Sequence, residues 1–136
     1  MTTPEPAPCR WELDIPLWQG KPPLTANEVR RMHWRAERNR IQLVRDRVQW
    51  AAREAALGPI GTTLERAVVR VHYQPSTNRR RDASNLMPTQ KAAVDGLVRA
   101  GVVPDDCEPY VTELMPVIHP AVPGVAPRLW LEVRCG

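Results

Sequence analysis

Residues 27–57 constrain the fold more than any other part of the chain, because their apolar positions recur at steps of three and four. This spacing is typical of an amphipathic helix. Thr25 or Asn27 can cap its start, and Gly58-Pro59 predicts its end near Leu57. Its apolar face consists of Val29, Met32, Ile41, Val44, Val48, Ala51, Ala52 and Ala55. Such a face requires a second structural layer to pack against.

Short Val-rich segments can supply that layer as strands. Strands are predicted near residues 11–17, 64–73, 111–118 and 129–134. A second helix is predicted over residues 85–100, with Gly101 as its stop. The order β-α-β-α-β-β predicts an α+β fold, a single domain in which two main helices pack on a mixed sheet. Residues 1–10 predict a flexible tail, and residues 11–136 the domain.

Arginine dominates the charge of the chain, whose formal net charge is +4. Residues 27–56 contain four acids and eight arginines. Three of these arginines, Arg30, Arg31 and Arg35, lie on the predicted polar face. Guanidinium groups bind phosphate in a bidentate manner, so this face favours a nucleic-acid partner. A solvated helix with internal ion pairs explains the same pattern equally well.

Membrane and secreted classes are disfavoured by the sequence. The apolar runs are short, and the N-terminus lacks the regions of a signal peptide. Cys9, Cys107 and Cys135 have neither the spacing of a zinc site nor that of a disulfide framework. These features predict a cytoplasmic protein with reduced thiols and no membrane partner.

Residues 79–106 concentrate the groups that carry chemistry. Three arginines, Arg79, Arg80 and Arg81, precede Asp82, and the following helix carries Lys91 and Asp95. Asp105 and Asp106 come after the helix, and an extended return of residues 102–106 can cover ~16 Å. If the chain turns back in this way, the carboxylates converge on a site for a hard cation such as Mg²⁺. An Asp-Asp pair after a helix is also a common turn.

The ordered motif resembles the RusA family of Holliday junction resolvases. Its components are RRRD-x-x-NL at residues 79–86, K-A-A-x-D-G-L at residues 91–97 and A-G-V-V-x-D-D at residues 100–106. The upstream PPLTANEVRRMHWR, residues 22–35, is also similar to the N-terminal loop of that family. The resemblance covers about residues 11 to 134.

The resemblance implies a homodimer in a bacterial cell, in the setting of a phage or prophage, that resolves four-way DNA junctions by paired phosphodiester hydrolysis. It implies Mg²⁺ as cofactor, with Mn²⁺ as a substitute. Asp82 matches the first metal-site aspartate, Lys91 the catalytic lysine and Asp106 the last aspartate, while Asp95 matches an acid within the helix. Arg79, Arg80 and Arg81 are placed to contact the phosphate backbone of the DNA.

Ser84 departs from the pattern D-x-D-N-L, because it places a hydroxyl where the family has a second carboxylate. The metal site is then weakened, rebuilt with Asp95 or Asp105, or inactive. The sequence consequently leaves a non-catalytic protein that binds branched DNA as the alternative to a nuclease. A structural protein with a solubilising basic helix is the third hypothesis. His33, His72 and His119 are interpreted as surface or core-edge residues.

Overall fold

The computed structural model describes residues 9–136, which form one five-stranded mixed sheet with helices packed against it. The predicted α+β fold with two main helices is confirmed. The strands are Arg10–Asp14 (β1), Ala67–Gln74 (β2), Val111–Glu113 (β3), Val117–Ile118 (β4) and Arg128–Cys135 (β5). The helices are Ala26–Val29 (α1), Trp34–Glu54 (α2) and Met87–Arg99 (α3), and a 3-10 turn, Ala83–Leu86, precedes α3. Residues 1–8 of the predicted tail lie outside the described residues.

Strand β2 is the centre of the sheet. On one side it pairs with β5 in antiparallel register, and β5 pairs with β1 in the same sense. On the other side, β3 and then β4 pair with β2 in parallel. Because β3 ends at Glu113 and β4 begins at Val117, residues 114–116 interrupt the pairing along this edge of β2.

The side chain of Gln90, which is fully buried on α3, fills this interruption. Its Oε1 accepts a hydrogen bond from the backbone N–H of Val71 at 2.8 Å. Its Nε2 donates to the carbonyl oxygen of Leu114 at 3.0 Å and to the carboxylate of Glu113 at 3.3 Å. A single amide therefore satisfies a backbone N–H of β2 and a backbone carbonyl of the segment between β3 and β4, and it fixes α3 against the sheet.

The core lies between the sheet and the pair of helices α2 and α3. Val44, Val48 and Ala52 of the predicted apolar face are buried, which confirms the helical periodicity. The two helices come into close contact at Gly96, where an added Cβ would lie 2.6 Å from the carbonyl oxygen of Arg45. The missing side chain at Gly96 thus allows direct contact between the helix backbones.

The single helix predicted over residues 27–57 is wrong, because the structure has two helices there. Thr25 caps α1 by accepting a hydrogen bond from the N–H of Glu28. The chain then turns at residues 30–32, and His33 caps α2 by accepting the N–H of Arg35 on Nδ1 at 3.1 Å. A local side-chain cap of this kind starts a new helix and competes with continuation of the old one.

Several other predicted boundaries also differ from the structure: the strand predicted over residues 11–17 ends at Asp14, and the one predicted over residues 64–73 begins at Ala67. Helix α2 ends at Glu54 because Ala56 has a positive φ of 58°. The strand predicted over residues 111–118 is two strands, β3 and β4. Pro116 lies between them and has no backbone N–H to continue the ladder.

Replacement of Gln90 with leucine should lower the free energy of unfolding by about 2–4 kcal/mol. Leucine has a suitable size but leaves the N–H of Val71 and the carbonyl of Leu114 buried without partners, at about 1–3 kcal/mol each. Urea denaturation followed by circular dichroism measures the change. The matched control is Gln49→Leu on α2, since the amide of Gln49 makes only a 3.5 Å bond to the carbonyl of Arg99. Equal losses in the two variants would contradict the role of Gln90.

Candidate functional site

A basic cavity lies between the loop after β2 and the segment before α1. Arg79, Arg80 and Arg81 line it from the loop, and Lys21 lines it from the other side. The guanidinium of Arg81 donates to the carbonyl of Thr77 at 2.8 Å, which fixes its position. Four cationic side chains that converge on one cavity favour binding of an anion such as a phosphate.

Asp82 also lines the basic cavity and caps the 3-10 turn that leads into α3. Its Oδ1 accepts the N–H of Ser84 at 3.1 Å and the hydroxyl of Ser84 at 2.9 Å. One carboxylate oxygen of Asp82 is therefore engaged by its neighbour, and its other oxygen has no such contact with Ser84. Ser84, which stands where the resembled motif has a second aspartate, is thus hydrogen-bonded directly to Asp82.

A second cavity, here called the acidic cavity, lies beside α3. Its charged lining comprises Lys91 and Asp95 of α3, Asp106 of the following loop, Glu113 of β3 and Glu37 of α2. Four carboxylates surround one ammonium group, so the local charge has the opposite sign to that of the basic cavity. Sequence reasoning did not find Glu37 and Glu113, because only the packing of α2 and β3 against α3 brings them here.

The chain turns back after α3, which brings Asp106 to the acidic cavity. Gly101 has a φ of 76°, a conformation that favours glycine, and ends the helix. The N–H of Val102 donates to the carbonyl of Leu97 at 3.0 Å, and its own carbonyl accepts the N–H of Leu64 at 2.9 Å. These bonds direct the following residues along α3 toward Lys91.

Residues 21–29, here called the strap, run between the two cavities. Asn27 lines the basic cavity, whereas Leu24 and Val29 line the acidic one. Thr89 of α3 holds the strap, since its hydroxyl donates to the carbonyl of Leu24 at 2.6 Å and accepts the N–H of Leu24 at 3.3 Å. Asn85 accepts the N–H of Asn27 at 3.2 Å. The strap therefore lies over the junction between the 3-10 turn and α3.

The structure brings Lys91, Asp95 and Asp106 together and places Asp82 in the other cavity. Asp82, Asp95 and Asp106 do not form one compact set of ligands. Across residues 9–136, one group of three His, Cys, Asp or Glu side chains has ligand atoms within 4.8 Å of one another: Asp105, Asp106 and Cys107.

The carboxylates of the acidic cavity have the chemistry of ligands for a hydrated divalent cation, although no three of them come within 4.8 Å of one another. Carboxylate oxygens are the ligands that Mg²⁺ prefers, and Mg²⁺ retains several waters. The cavity volume is ≈ 480 Å³, whereas a water occupies about 30 Å³ in the liquid. The hydrogen bond from the backbone N–H of Asp106 lowers the pKa of Asp105, the residue that precedes it.

The arginines predicted on the polar helical face lie at the start of α2. Arg30 and Arg31 are exposed in the turn between α1 and α2, and Arg35 follows in the first turn of α2. Arg31 lines a shallow depression together with Asn27 and Glu28, both of which also line the basic cavity. The exposed basic surface is thus continuous with the basic cavity.

His72 and His119, which the sequence analysis interprets as surface or core-edge residues, form a hydrogen-bonded chain with a glutamate. His72 Nδ1 lies 2.8 Å from His119 Nε2, and His72 Nε2 lies 3.0 Å from a carboxylate oxygen of Glu132. Trp130 stacks against both imidazoles, with ring centroids at 5.1 and 5.3 Å. Glu132 accepts from His72 Nε2–H, so that in neutral His72 the Nδ1 atom accepts from His119 Nε2–H.

The hydrogen-bonded chain of His119, His72 and Glu132 should make the stability of the protein sensitive to acid. Burial lowers the pKa of His119, and the charge of His72 lowers it further. Burial raises the pKa of Glu132, but the hydrogen bond from His72 and the charges of Arg10, His72 and Arg134 outweigh it, so the pKa is lowered. Both groups bind protons more readily in the unfolded chain, so acid favours unfolding.

No protein-family model matches this chain, and no curated protein matches it. No helix within residues 9–136 combines the length and the apolar character needed to cross a membrane.

Stability should decrease as the pH falls below about 6.5, the ordinary pKa of histidine, and His119→Gln should reduce that decrease. Glutamine retains an N–H donor for His72 but does not titrate. A second decrease, due to Glu132, should begin near its ordinary pKa of 4.5 and remain in the variant. Melting temperatures between pH 8 and pH 4 measure both steps. An unchanged slope between pH 7 and pH 5 in His119→Gln would contradict the assignment.

Proposed function

We propose that the protein is a divalent-metal-dependent endonuclease of the RusA type that cleaves four-way DNA junctions as a homodimer. Mg²⁺ is the proposed cofactor, and Mn²⁺ is expected to replace it. Cleavage of paired strands requires two active sites, which a homodimer supplies by symmetry. A bacterial cytoplasm that carries phage or prophage DNA is the proposed setting.

The observation that best supports this function is that a basic cavity and an acidic cavity lie on either side of one short strap. The arginines and Lys21 in the basic cavity offer contacts for the phosphate backbone. The acidic cavity offers carboxylates for a cation, with Lys91 among them. A polynucleotide is a polyanion long enough to occupy both cavities at once.

In this proposal, Asp106 and Asp95 hold a hydrated cation in the acidic cavity, partly through its waters, because Asp95, Asp106 and Glu113 do not come within 4.8 Å of one another as a set. Mg²⁺ bound there would polarise a phosphodiester and provide an activated water. Lys91 stabilises negative charge on the attacked phosphate. The amide of Gln90 orients Glu113 toward the cavity through their 3.3 Å hydrogen bond.

Asp82 has a separate role, because it lies among the arginines of the basic cavity. Its carboxylate reduces the net positive charge of the basic cavity. It also stabilises the 3-10 turn through its hydrogen bonds with Ser84. Since the turn leads directly into α3, Asp82 also helps to position Lys91. As in the resemblance, Asp82 remains a candidate ligand for a cation at the edge of the basic cavity.

A second candidate function is binding of branched DNA without cleavage. It is favoured by the two hydrogen bonds that Ser84 makes to Asp82 Oδ1. These bonds stabilise the carboxylate without adding the negative charge that a second aspartate would contribute to a metal site. The basic surfaces would then recognise the shape of the junction alone.

Purified protein incubated with an end-labelled four-way junction and Mg²⁺ should produce symmetric nicks. Asp106→Asn and Lys91→Met should each reduce the cleavage rate by about 100-fold or more, because single catalytic groups contribute on this scale. The matched control is Asp46→Asn, an exposed carboxylate on α2 outside both cavities. Tight binding without nicks in Mg²⁺ and in Mn²⁺ would instead support the second candidate function.

If Asp82 is a ligand of a cation at the edge of the basic cavity, Ser84→Asp should increase the cleavage rate and reduce the Mg²⁺ concentration needed for half-maximal rate. The new carboxylate adds negative charge beside Asp82, whereas Ser84→Ala removes only the hydroxyl donor and serves as the control. Rates over a titration of Mg²⁺ distinguish a change in metal affinity from a change in chemistry. If Ser84→Asp has the same activity and metal dependence as the wild type, Ser84 does not limit the site.

A further inference from the structure

A groove along α2 borders the acidic cavity and reaches the end of α3. Its lining includes Trp34, Arg38, Ile41 and Arg45 of α2 and Arg99 of α3. The four residues of α2 follow at steps of four, three and four, so they share one face of the helix. Three guanidinium groups meet one carboxylate, that of Glu37. We call this feature the arginine groove.

The base of the arginine groove is held rigidly by the contact between the two helices. Gly96 of α3 packs against the backbone carbonyl of Arg45, which fixes the root of the Arg45 side chain. The Nε atom of Arg45 is buried and has no hydrogen-bond partner within the described part of the chain. A buried donor without an acceptor is unfavourable. A small turn of the Arg45 side chain toward the groove would bring this donor to an anionic oxygen bound there.

The rim of the arginine groove presents an aromatic surface. Trp34 is 58% exposed, unusual for so large an apolar side chain. The guanidinium of Arg35 lies 5.2 Å from the centroid of its ring, and the imidazole of His33 stacks beside it at 5.7 Å. A nucleobase is a flat ring that stacks on tryptophan in the same way.

We propose that the arginine groove binds an unpaired segment of single-stranded DNA, with phosphates on Arg38, Arg45 and Arg99 and one base on Trp34. Trp34 and Arg45 are eleven residues apart, or about 16 Å along α2, which is long enough for more than one phosphate. Bases in a duplex have no free face to offer Trp34, so stacking selects unpaired nucleotides.

The inference rests on the proposed function: a four-way junction is base-paired along its arms, and the groove would take bases that are unstacked at its branch point. Glu37 and Ile41 line both the arginine groove and the acidic cavity, so the two are contiguous. A strand that leaves the groove therefore enters the cavity that contains Lys91 and Asp106. The groove would thus select the strand that reaches the carboxylates.

The test measures binding of a labelled 15-nucleotide oligothymidine by fluorescence anisotropy in EDTA, with a duplex of equal length as comparison. Trp34→Ala should raise the Kd for the single strand about tenfold and leave the Kd for the duplex unchanged. Arg45→Gln and Arg99→Gln should each weaken binding and reduce the slope of log K against log salt by about 0.7, the loss of one phosphate contact.

The matched control is Arg47→Gln, which removes the same charge from an exposed position of α2 outside the groove. It should bind the single strand as the wild type does. Equal effects of Arg45→Gln and Arg47→Gln, equal losses for single strand and duplex, or wild-type binding by Trp34→Ala would each overturn the inference. Thermal melting verifies that every variant is folded.

Failure of this inference and failure of the proposed function give different results. Binding in EDTA does not require cleavage, and Asp106→Asn should retain it. Junction cleavage by wild-type protein combined with unaltered binding by the groove variants overturns the inference alone. Loss of single-strand binding in the groove variants, with no junction cleavage by the wild type, supports the groove and overturns the nuclease.

Discussion

The hydrogen bonds of Gln90 are the interaction on which the rest of the structure depends. They join α3 to the central strand at the point where the parallel pairing of that strand is interrupted. The residues on either side then have fixed directions, since successive helical residues point about 100° apart. Thr89 meets the strap, Gln90 meets the sheet and Lys91 is exposed to the acidic cavity. Three consecutive residues thus set the positions of the strap, the helix and the lysine.

The hydrogen bonds that position α3 also explain why the carboxylates lie in two separate cavities. Thr89 holds Leu24 of the strap over the start of α3, and the 3-10 turn with Asp82 lies on the far side. Asp106 approaches from the opposite end of α3, where the turn at Gly101 returns the chain. In the proposed function, the basic cavity therefore binds the backbone of the DNA and the acidic cavity holds the cation. In this arrangement the DNA itself, a chain of regularly spaced phosphates, links the two.

Periodicity predicted the elements well but could not predict their interruptions or their pairing. The buried face of α2 could be read from the spacing of Val44, Val48 and Ala52. The break before α2 depends on the ring of His33 acting as a cap. The spacing of apolar residues does not show whether such a side-chain cap starts a new helix or the first helix continues. His72 and His119 are separated by 47 residues, so their contact follows only from the parallel register of β2 and β4. For the same reason, the motif identified Lys91 and Asp106 but not Glu37 or Glu113.

Electrostatics connects the acidic cavity to its basic surroundings. Four carboxylates in a surface that binds DNA would repel phosphates, and this repulsion lowers affinity unless other charges offset it. In the proposed function, a bound divalent cation would neutralise part of this charge, and the arginines on both sides would supply the remaining attraction. The basic cavity lies beyond the strap, and the arginine groove lies beyond Glu37. A net charge of only +4 would therefore be enough for the proposed DNA binding, because the basic residues flank the acidic cavity instead of being spread evenly over the surface.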